Sequence, residues 1–380
     1  MTDEGMSDER RPMKMHWFLP TGGDSRDVLP DPDRPGRRPP THDYLAQVAL
    51  AAEAAGFDAM LTPCGTGCED AWIATASLLG VTTRIKFLVA FRPGLLSPTL
   101  AAQMASTYQR MSGGRMLVNI VTGAEPRELH RFGDYADKET RYERTGEFLG
   151  IMRRAWSGDP VDVAGDHYTV EGATTREVPD PVPEIYFGGA SPAAKRVAAE
   201  HADVYLVWGE PPESAQQQLL DVQARAAEIG RTLRYGIRFH VIARPTSDEA
   251  WAAADALLDG ISDDDIAAAR ADFEATMSEG QRRMAELHGS GTEHLVIHPN
   301  VWAGIGLVRG GAGTAIVGSY SEVADRLEEY QQHGFDEFIL SGYPHLEEAH
   351  WFGEGVMPEL RSRGLVAPVV DAGGTVFSFR

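Results

Sequence analysis

Eight short runs of β-branched and aromatic residues alternate with longer, alanine-rich amphipathic runs along most of this chain. The short runs are 15–20, 58–62, 85–91, 116–121, 184–189, 203–208, 235–243 and 337–343. Such alternation is typical of βαβ units, whose strands lie parallel. Eight units suit a closed barrel, whereas a doubly wound open sheet usually has fewer strands and carries a GxGxxG motif after its first strand, which this chain lacks. The sequence therefore predicts an α/β fold, a (β/α)8 TIM barrel.

Two stretches between these runs are longer than ordinary loops and predict insertions, near 158–182 and 259–320. The second ends in a glycine-rich run, GIGLVRGGAGTA. We expect one barrel domain over 15–364, a disordered N-terminal tail over 1–14 and a C-terminal extension over 365–380.

The charge balance excludes some partners. The chain has 35 Lys and Arg against 56 Asp and Glu, a net charge of -21, so nucleic acid and anionic membranes are not expected to bind. No apolar run approaches the roughly 18 residues of a membrane span, and the first 14 residues are charged, unlike a secretory signal. Two cysteines, Cys64 and Cys68, supply neither a disulfide framework nor a closed zinc site, so we expect a cytoplasmic protein without a metal.

The active site of such a barrel forms at the C-terminal ends of its strands. After the fifth run, GGASPAAK places glycines and Ser191 directly before a helix that begins at Pro192. Free backbone N–H groups and the helix dipole at that point favour a phosphate. The alternative is an ordinary N-cap by Ser191 with no ligand bound.

Five further side chains are candidates. Arg238 and His240 alternate on the seventh run, so both point into the barrel mouth, either to bind an anion, with His240 as acid or base, or to pair with inward carboxylates. Arg309, in the glycine-rich run, fits either a lid that closes on an anion or a solvated loop. Trp208 and Tyr343 either wall an aromatic pocket or belong to the core.

Nine segments between Met15 and Leu360 match the motifs of one known family in order and spacing. They read WFLPTGGD, CEDAW, RIKFLVAFRPG, GRMLVNIVTG, YFGGAS, VWGEPPE, GIRFHVI, NVWAGIGLVRGGAGTAIVG and LSGYPHLEEA. Together they resemble the FMN-dependent alkanesulfonate monooxygenases of the bacterial luciferase superfamily. The resemblance implies a luciferase-like TIM barrel with insertions, a homodimer or homotetramer, and a separate NAD(P)H-dependent flavin reductase that supplies reduced FMN (FMNH2).

The resemblance also implies the residues of the site. The substrate and catalytic pocket would consist of Trp208, Arg238, His240, Arg309 and Tyr343, with His345 and Gly22 also against the substrate. FMN would contact Cys68, Ala90, Asn119, Thr122, Tyr142, Gly189, Ala190 and Ser191. The Ala90–Phe91 peptide, against which the flavin would lie, is often cis in this superfamily. Cys68 would lie near flavin and O2 without acting as a nucleophile, since its acidic neighbours Glu69 and Asp70 raise the pKa of a thiol.

The implied reaction cleaves the C–S bond of an organosulfonate to sulfite and an aldehyde, with FMNH2 and O2 as co-substrates. A sulfonate stays ionised and presents three acceptor oxygens that planar guanidinium groups match, so Arg238 and Arg309 would be the recognition pair. Family members have His where this chain has Gly22, which opens space in the pocket. The sequence therefore leaves two substrate classes open, short-chain alkanesulfonates and a bulkier sulfosugar such as sulfoquinovose.

Two other functions stay open from the sequence. The chain could be a deazaflavin-dependent oxidoreductase of the same barrel superfamily, or a non-catalytic subunit that binds flavin or a sulfonate. The retained Arg238, His240, Arg309 and Tyr343 argue against the non-catalytic subunit.

Overall fold

The computed structural model of the protein describes residues 11–29, 36–288 and 294–368. Its strands are β1 (Lys14–Phe18), β2 (Ala59–Thr62), β3 (Lys86–Phe91), β4 (Met116–Ile120), β5 (Val161–Ala164), β6 (Thr169–Ala173), β7 (Ile185–Gly188), β8 (Val204–Trp208), β9 (Arg234–Arg244), β10 (Val296–His298), β11 (Val301–Trp302), β12 (Ala315–Ser319) and β13 (Glu337–Ser341). Eight of these pair in parallel in the closed order β1, β2, β3, β4, β7, β8, β9, β13 and back to β1. The eight runs predicted from the sequence coincide with these strands, so the TIM barrel is confirmed.

Helices pack around the outside of the barrel. They are α1 (His42–Ala55), α2 (Ala71–Leu78), α3 (Pro98–Ser112), α4 (Pro126–Arg131), α5 (Lys138–Ala155), α6 (Pro192–His201), α7 (Pro212–Glu228), α8 (Ser247–Leu258), α9 (Asp263–Glu274), α10 (Glu279–His288), α11 (Tyr320–Gln332), α12 (His345–Trp351) and α13 (Met357–Ser362). Several begin behind a Ser, Thr or Asp whose side chain accepts a hydrogen bond from the first turn, as Ser97 does for α3 and Asp137 for α5. Across the described part of the chain, no helix combines the length and apolar character that a membrane crossing requires.

The barrel interior is filled by side chains from alternate strand positions. A buried cluster of Ala59, Leu88, Leu117, Tyr186, Val204 and Ile339 lies inside the barrel, separate from the larger core between strands and helices. Ile339 is in register with Arg238, which is also in register with Trp208. Because residues in register share a face, Arg238 points into the barrel as the sequence predicts.

A buried carboxylate lies towards the N-terminal end of the barrel. Glu337 accepts hydrogen bonds from the Tyr186 hydroxyl at 2.6 Å and pairs with His16 Nε2 at 3.0 Å and Arg234 Nη1 at 3.2 Å. Burial alone would raise the pKa of Glu337, but the hydrogen bond to His16 and the charges of Arg234 and Lys14 lower it to about 2. The carboxylate is therefore stabilised in its ionised form by folding.

We expect Glu337→Gln to lower the free energy of unfolding by about 3 kcal/mol near neutral pH, because Arg234 loses its buried counter-ion. A carboxyl whose pKa falls on folding contributes stability above its unfolded value of 4.5, and that contribution disappears as the pH falls towards 2. Urea unfolding of both proteins at several pH values measures the difference. A difference that does not shrink below pH 4.5 would contradict this account.

The two predicted insertions take different forms. Within 158–182, β5 and β6 form an antiparallel hairpin. The region 259–320 contains α9 and α10 followed by β10, β11, a 3-10 turn over Gly304–Leu307 and β12, which pairs with the upper half of β9 from His240 to Arg244. This second insertion covers the C-terminal ends of the barrel strands.

Residues 13 and 365, near the two ends of the described chain, lie together beside β1. Met13 is buried, and its backbone N–H donates to the Leu365 carbonyl at 2.7 Å. The ordered barrel therefore starts before residue 15, inside the segment expected to be a tail, because this pairing ties residue 13 to the end of the chain. Residues 1–10 of the expected tail and 369–380 of the expected extension lie outside the described residues.

Candidate active site

A cavity of about 430 Å³ opens at the C-terminal ends of the barrel strands. Its floor and walls come from β4, β7, β8 and β9 and the loops after them, and its roof from 277–280 and 309–312 of the second insertion. The volume is in the range typical of cofactor and small-molecule sites. The cavity lies where TIM barrels place their active sites.

Arg238 is buried in this cavity without a carboxylate partner in the described chain. Its Nη1 donates to the carbonyl oxygens of Phe239 at 2.6 Å and Ile339 at 3.4 Å, and its guanidinium carbon lies 4.8 Å from the centroid of the Phe18 ring. Burial, with a smaller contribution from the charge of Arg309, lowers the pKa of Arg238 to about 9. A buried cation without a counter-ion is costly unless a ligand supplies the negative charge. The structure therefore favours anion binding over pairing with an inward carboxylate.

Arg309 lies on the same cavity and is half-buried. It too has no ion pair within the described residues, and its guanidinium carbon lies 5.2 Å from the centroid of the Tyr343 ring. The Tyr343 hydroxyl is buried and makes no hydrogen bond to the described chain. Two guanidinium groups without a carboxylate partner among the described residues thus lie on one cavity.

His240 uses both of its ring nitrogens inside the protein. Nε2 lies 3.0 Å from the Ala312 carbonyl, to which it can only donate, and Nδ1 lies 2.7 Å from the Ser341 hydroxyl. Burial and the charge of Arg238 hold the pKa of His240 well below its usual value. The imidazole is therefore neutral and fixes the glycine-rich loop, so the geometry gives His240 a positioning role where the sequence suggested an acid or base.

The roof is held in place by hydrogen bonds from several elements. Gln281 Oε1 accepts from Gly311 N–H at 2.8 Å. The Met277 N–H donates to the Ala124 carbonyl and Lys138 Nζ donates to the Met277 carbonyl, both at 3.1 Å. The Gly311 contact, together with that of Ala312 to His240, favours the interpretation of the glycine-rich run as a lid over that of a solvated loop.

A second part of the cavity wall is formed where α6 begins. Ser191 caps α6 by accepting from Ala194 N–H, as the ligand-free interpretation requires, yet Gly188, Gly189 and Ser191 all face the cavity. Glycine is needed at position 189, because its φ is +141° and a Cβ there would lie 2.7 Å from the Ala194 side chain. The helix N-terminus thus presents N–H groups to the cavity.

Arg141 faces this same wall and was not predicted from the sequence. Its side chain is buried, it donates to the Ala136 carbonyl, and Nε has no hydrogen-bond partner in the described chain. Burial lowers its pKa. The sequence did hold a signal for Arg141. It lies near the start of α5 and directly before Tyr142, a residue that the resemblance implies at the FMN site.

Most of the predicted site residues meet in the cavity. Those on its wall are Asn119, Thr122, Tyr142, Gly189, Ala190, Ser191, Trp208, Arg238, His240 and Arg309. Tyr343 lies behind the wall, stacked on His240 with ring centroids 5.3 Å apart. Trp208 and Tyr343 therefore differ, since the tryptophan forms part of the pocket whereas the tyrosine supports it.

Besides Tyr343, four predicted residues do not line the cavity: Cys68, Ala90, Gly22 and His345. A Cβ on Gly22 would lie 3.0 Å from the Gly67 carbonyl and 3.7 Å from Cys68 Sγ, so Gly22 faces the neighbouring loop and does not widen this cavity. The expected cis peptide is also absent at Ala90–Phe91, since the described residues have cis bonds at Asp180–Pro181 and Tyr343–Pro344.

Both cysteine thiols have a raised pKa, but for Cys68 the main cause differs from the predicted one. Burial is the main cause that raises the pKa of Cys68, and it raises the pKa of Cys64 to about 11. The adjacent Glu69 and Asp70 are not among these causes. A search of residues 11–29, 36–288 and 294–368 finds no cluster of three His, Cys, Asp or Glu side chains able to hold a metal ion.

Solved structures with this fold support the assignment of the barrel. The long-chain alkane monooxygenase LadA is 20% identical with a TM-score of 0.79, covering 95% of this chain and 94% of its own. The EDTA monooxygenase EmoA from Chelativorans sp. BNC1 is 20% identical with a TM-score of 0.74, covering 94% and 95%. The oxygenating constituent of 3,6-diketocamphane monooxygenase from the CAM plasmid of Pseudomonas putida, solved with FMN, is 17% identical with a TM-score of 0.67, covering 92% and 99%.

The sequence itself matches one family model over most of its length. The model describes luciferase-like monooxygenases, and the match covers residues 13–337, from the start of β1 to the start of β13. The barrel, the cavity at its C-terminal face and this match together show that the chain belongs to the luciferase-like monooxygenase family.

Proposed function

We propose that this protein is a monooxygenase that uses FMNH2 and O2 to cleave the C–S bond of an organosulfonate, releasing sulfite and an aldehyde. The observation that carries the proposal is the pair Arg238 and Arg309, two guanidinium groups on one cavity with no carboxylate partner in the described chain. In a protein with a net charge of -21, carboxylates are plentiful, so two unpaired arginines at one site indicate an anionic ligand. A sulfonate fits because it is ionised at every physiological pH.

The other wall fits the phosphate of FMN. Arg141 supplies a buried charge without a counter-ion, and the start of α6 supplies N–H groups where a side chain at Gly189 would block approach. Between the two cationic regions the wall is apolar, with Leu61, Ile120 and Leu206 on it. The residues present therefore suit a planar ring with a phosphate at one end.

In the proposed C–S bond cleavage, the residues of this chain bind and orient the substrate and shield it from water. Arg238 and Arg309 hold the sulfonate oxygens, and the Tyr343 ring, 5.2 Å from the guanidinium carbon of Arg309, supports that arginine from behind the wall. The roof formed by 277–280 and 309–312 excludes water. FMNH2 with O2 supplies the oxygenating chemistry, which no side chain can provide.

The substrate's organic part is proposed to be alkyl or aryl. Phe18 and Ile339 lie beneath Arg238, and both are apolar. Gly22 does not widen the cavity, so this residue gives no reason to expect a sulfosugar. A comparison of octanesulfonate with sulfoquinovose at equal FMNH2 supply tests this, and faster turnover of sulfoquinovose would contradict it.

We expect Arg141→Met to raise the Kd for FMN about tenfold and to leave the Kd for riboflavin nearly unchanged, because riboflavin lacks the phosphate. Flavin fluorescence titration measures both. Arg127→Met, on the exposed face of α4, is the matched control and should change neither. An equal loss for both flavins would mean that Arg141 does not contact the phosphate.

The proposal is tested by sulfite release from a panel of sulfonates. Sulfite should appear only when FMNH2 and O2 are both present, with an NAD(P)H-dependent reductase as the proposed source of FMNH2. Turnover with a reduced deazaflavin in the absence of O2 would favour the deazaflavin-dependent alternative. Flavin binding without turnover of any sulfonate would favour the non-catalytic subunit. The homo-oligomer implied by the resemblance stays a prediction.

A further inference from the structure

The two long helices of the second insertion, α9 and α10, enclose a further cavity, which we call the α9–α10 cavity. Its volume is about 760 Å³, and Leu307 of the 3-10 turn also lies on it. On α9 the lining residues Ile266, Arg270 and Phe273 recur every three or four residues and so share one side of the helix. The cavity is therefore formed by the sides on which the two helices face each other.

A cavity of this size differs from ordinary helix packing. Packed helices interlock their side chains, and protein interiors contain few voids larger than a water molecule. None of the 12 residues of α9, all of them within the described part of the chain, is buried. Ile266 and Phe273 are only partly covered by the rest of the protein, so an apolar occupant would remove more of their surface from water.

The charged side chains on the α9–α10 cavity already have partners. Arg270 Nε lies 3.3 Å from Glu274 Oε1, and Arg282 Nε donates to Glu279 Oε2 at 3.0 Å. Arg282 also pairs with Glu286. The apolar part of the lining comes from Ile266, Phe273, Met277, Ala285 and Leu307. This cavity therefore suits an uncharged, apolar group, whereas the cavity at the barrel mouth has arginines without a carboxylate partner among the described residues.

The α9–α10 cavity adjoins the cavity at the barrel mouth. Met277, Ser278 and Glu279 line both. The glycine-rich run reaches both as well, since Leu307 lies on the α9–α10 cavity and Arg309 on the cavity at the barrel mouth. An apolar site and an anion site are thus neighbours, which is the arrangement that a molecule with one charged end and one apolar end requires.

We propose that the α9–α10 cavity binds the alkyl chain of the sulfonate whose head group Arg238 and Arg309 hold. The inference rests on the proposed function and adds the site of the substrate's tail. The cavity at the barrel mouth, about 430 Å³, has to hold FMN beside the sulfonate, so little of it is left for a long chain. The chain leaves the barrel mouth beside 277–279 and covers the apolar side chains of α9 and α10. The preferred substrate is a long, unbranched alkanesulfonate.

Equilibrium binding of a homologous series tests this proposal without turnover. Butane-, hexane-, octane- and decanesulfonate are titrated calorimetrically into the protein loaded with oxidised FMN, with no reductant present. We expect the Kd of the wild type to fall about threefold for each added methylene up to decanesulfonate, because each one is buried. A Kd that stops falling at hexanesulfonate overturns the proposal, since the rest of a longer chain would then lie in water.

The variant Ala285→Trp fills the α9–α10 cavity from the side of α10. It should raise the Kd for decanesulfonate about 30-fold and leave that for butanesulfonate unchanged, because only the long chain reaches the indole. Ala267→Trp places the same side chain on the exposed side of α9, away from the cavity, and should change neither Kd. Circular dichroism and the Kd for FMN report whether the variants are folded, and the wild-type series decides the question if Ala285→Trp is not.

Two results with a folded Ala285→Trp variant overturn the proposal. One is a Kd for decanesulfonate that matches the wild type or rises no more than that for butanesulfonate. The other is a changed number of subunits with unchanged sulfonate binding, which would make this face of α9 and α10 an interface between copies of the chain. Failure of the proposed function appears elsewhere, as no sulfite from any sulfonate with FMNH2 and O2, whatever the binding series shows.

Discussion

Replacing Arg238 by Met is expected to abolish sulfite release from a sulfonate while making the protein more stable. The guanidinium is buried and has no counter-ion among the described residues, so its removal relieves the cost of burying an unpaired charge. The same removal takes away a charge-assisted contact to the substrate, and kcat/KM should fall about 1000-fold. Opposite effects on stability and activity are the signature of a residue kept for function.

The measurement combines the sulfite assay with thermal unfolding without ligand. We expect the unfolding midpoint of Arg238→Met to rise by about 2 °C or more. Arg234→Met is the matched comparison on the same strand, because Arg234 pairs with Glu337 and Glu184 and should lower the midpoint when removed. An Arg238→Met midpoint that falls as far as that of Arg234→Met would show that Arg238 is a structural residue.

Replacing Arg309 by Ala is expected to lower kcat/KM for the sulfonate about 100-fold and to leave the Kd for FMN unchanged. Arg309 lies on the roof of the cavity and is proposed to hold the substrate, whereas Arg141 and the start of α6 are proposed to hold the phosphate. Without the contact between Arg309 and the substrate, water should enter the cavity. A smaller fraction of the FMNH2 consumed should then yield sulfite, and a larger fraction should yield hydrogen peroxide.

Steady-state assays that follow sulfite and peroxide together measure this partition. Arg282→Ala provides the control, since Arg282 is exposed on α10 and pairs with Glu279 and Glu286. Unchanged turnover in Arg309→Ala would remove this arginine from the mechanism. A parallel loss of FMN affinity would instead place Arg309 at the cofactor.

The sequence predicts the barrel well because strand periodicity and parallel pairing are local signals. Once eight strands close, residues at their C-terminal ends must converge, which is why Arg238, Asn119 and Ser191 face one cavity although they are far apart in the chain. The alternatives for Arg238 were decided only by the structure, because the absence of a carboxylate partner is a property of the packed interior.

Other features depend on long-range packing and could not be predicted. Gly22 was expected to widen the pocket, but the loop at Gly67 lies against it. The bond between Gln281 and Gly311 and that between Asp24 and His345 join segments 30 and 321 residues apart, and no local pattern signals either. The tautomer of His240 likewise depends on Ala312 in a distant loop.

The site also explains why an acidic protein keeps unpaired arginines. Arg141, Arg238 and Arg309 all lie on the cavity, and each lacks an ion pair with any residue that the structure describes. Unpaired buried charge lowers stability, so an arrangement of this kind persists where a ligand returns the missing counter-charge. FMN phosphate and a sulfonate together would supply two such anions, one at each end.

The most direct test of the central claim is calorimetric binding of an alkanesulfonate and its neutral sulfonamide to the FMN-loaded protein. The two ligands share a shape and differ in charge. We predict that the sulfonate binds about 100-fold more tightly to the wild type and that this preference disappears in Arg238→Met. Equal affinity of the wild type for both ligands would contradict the claim that Arg238 and Arg309 grip a sulfonate.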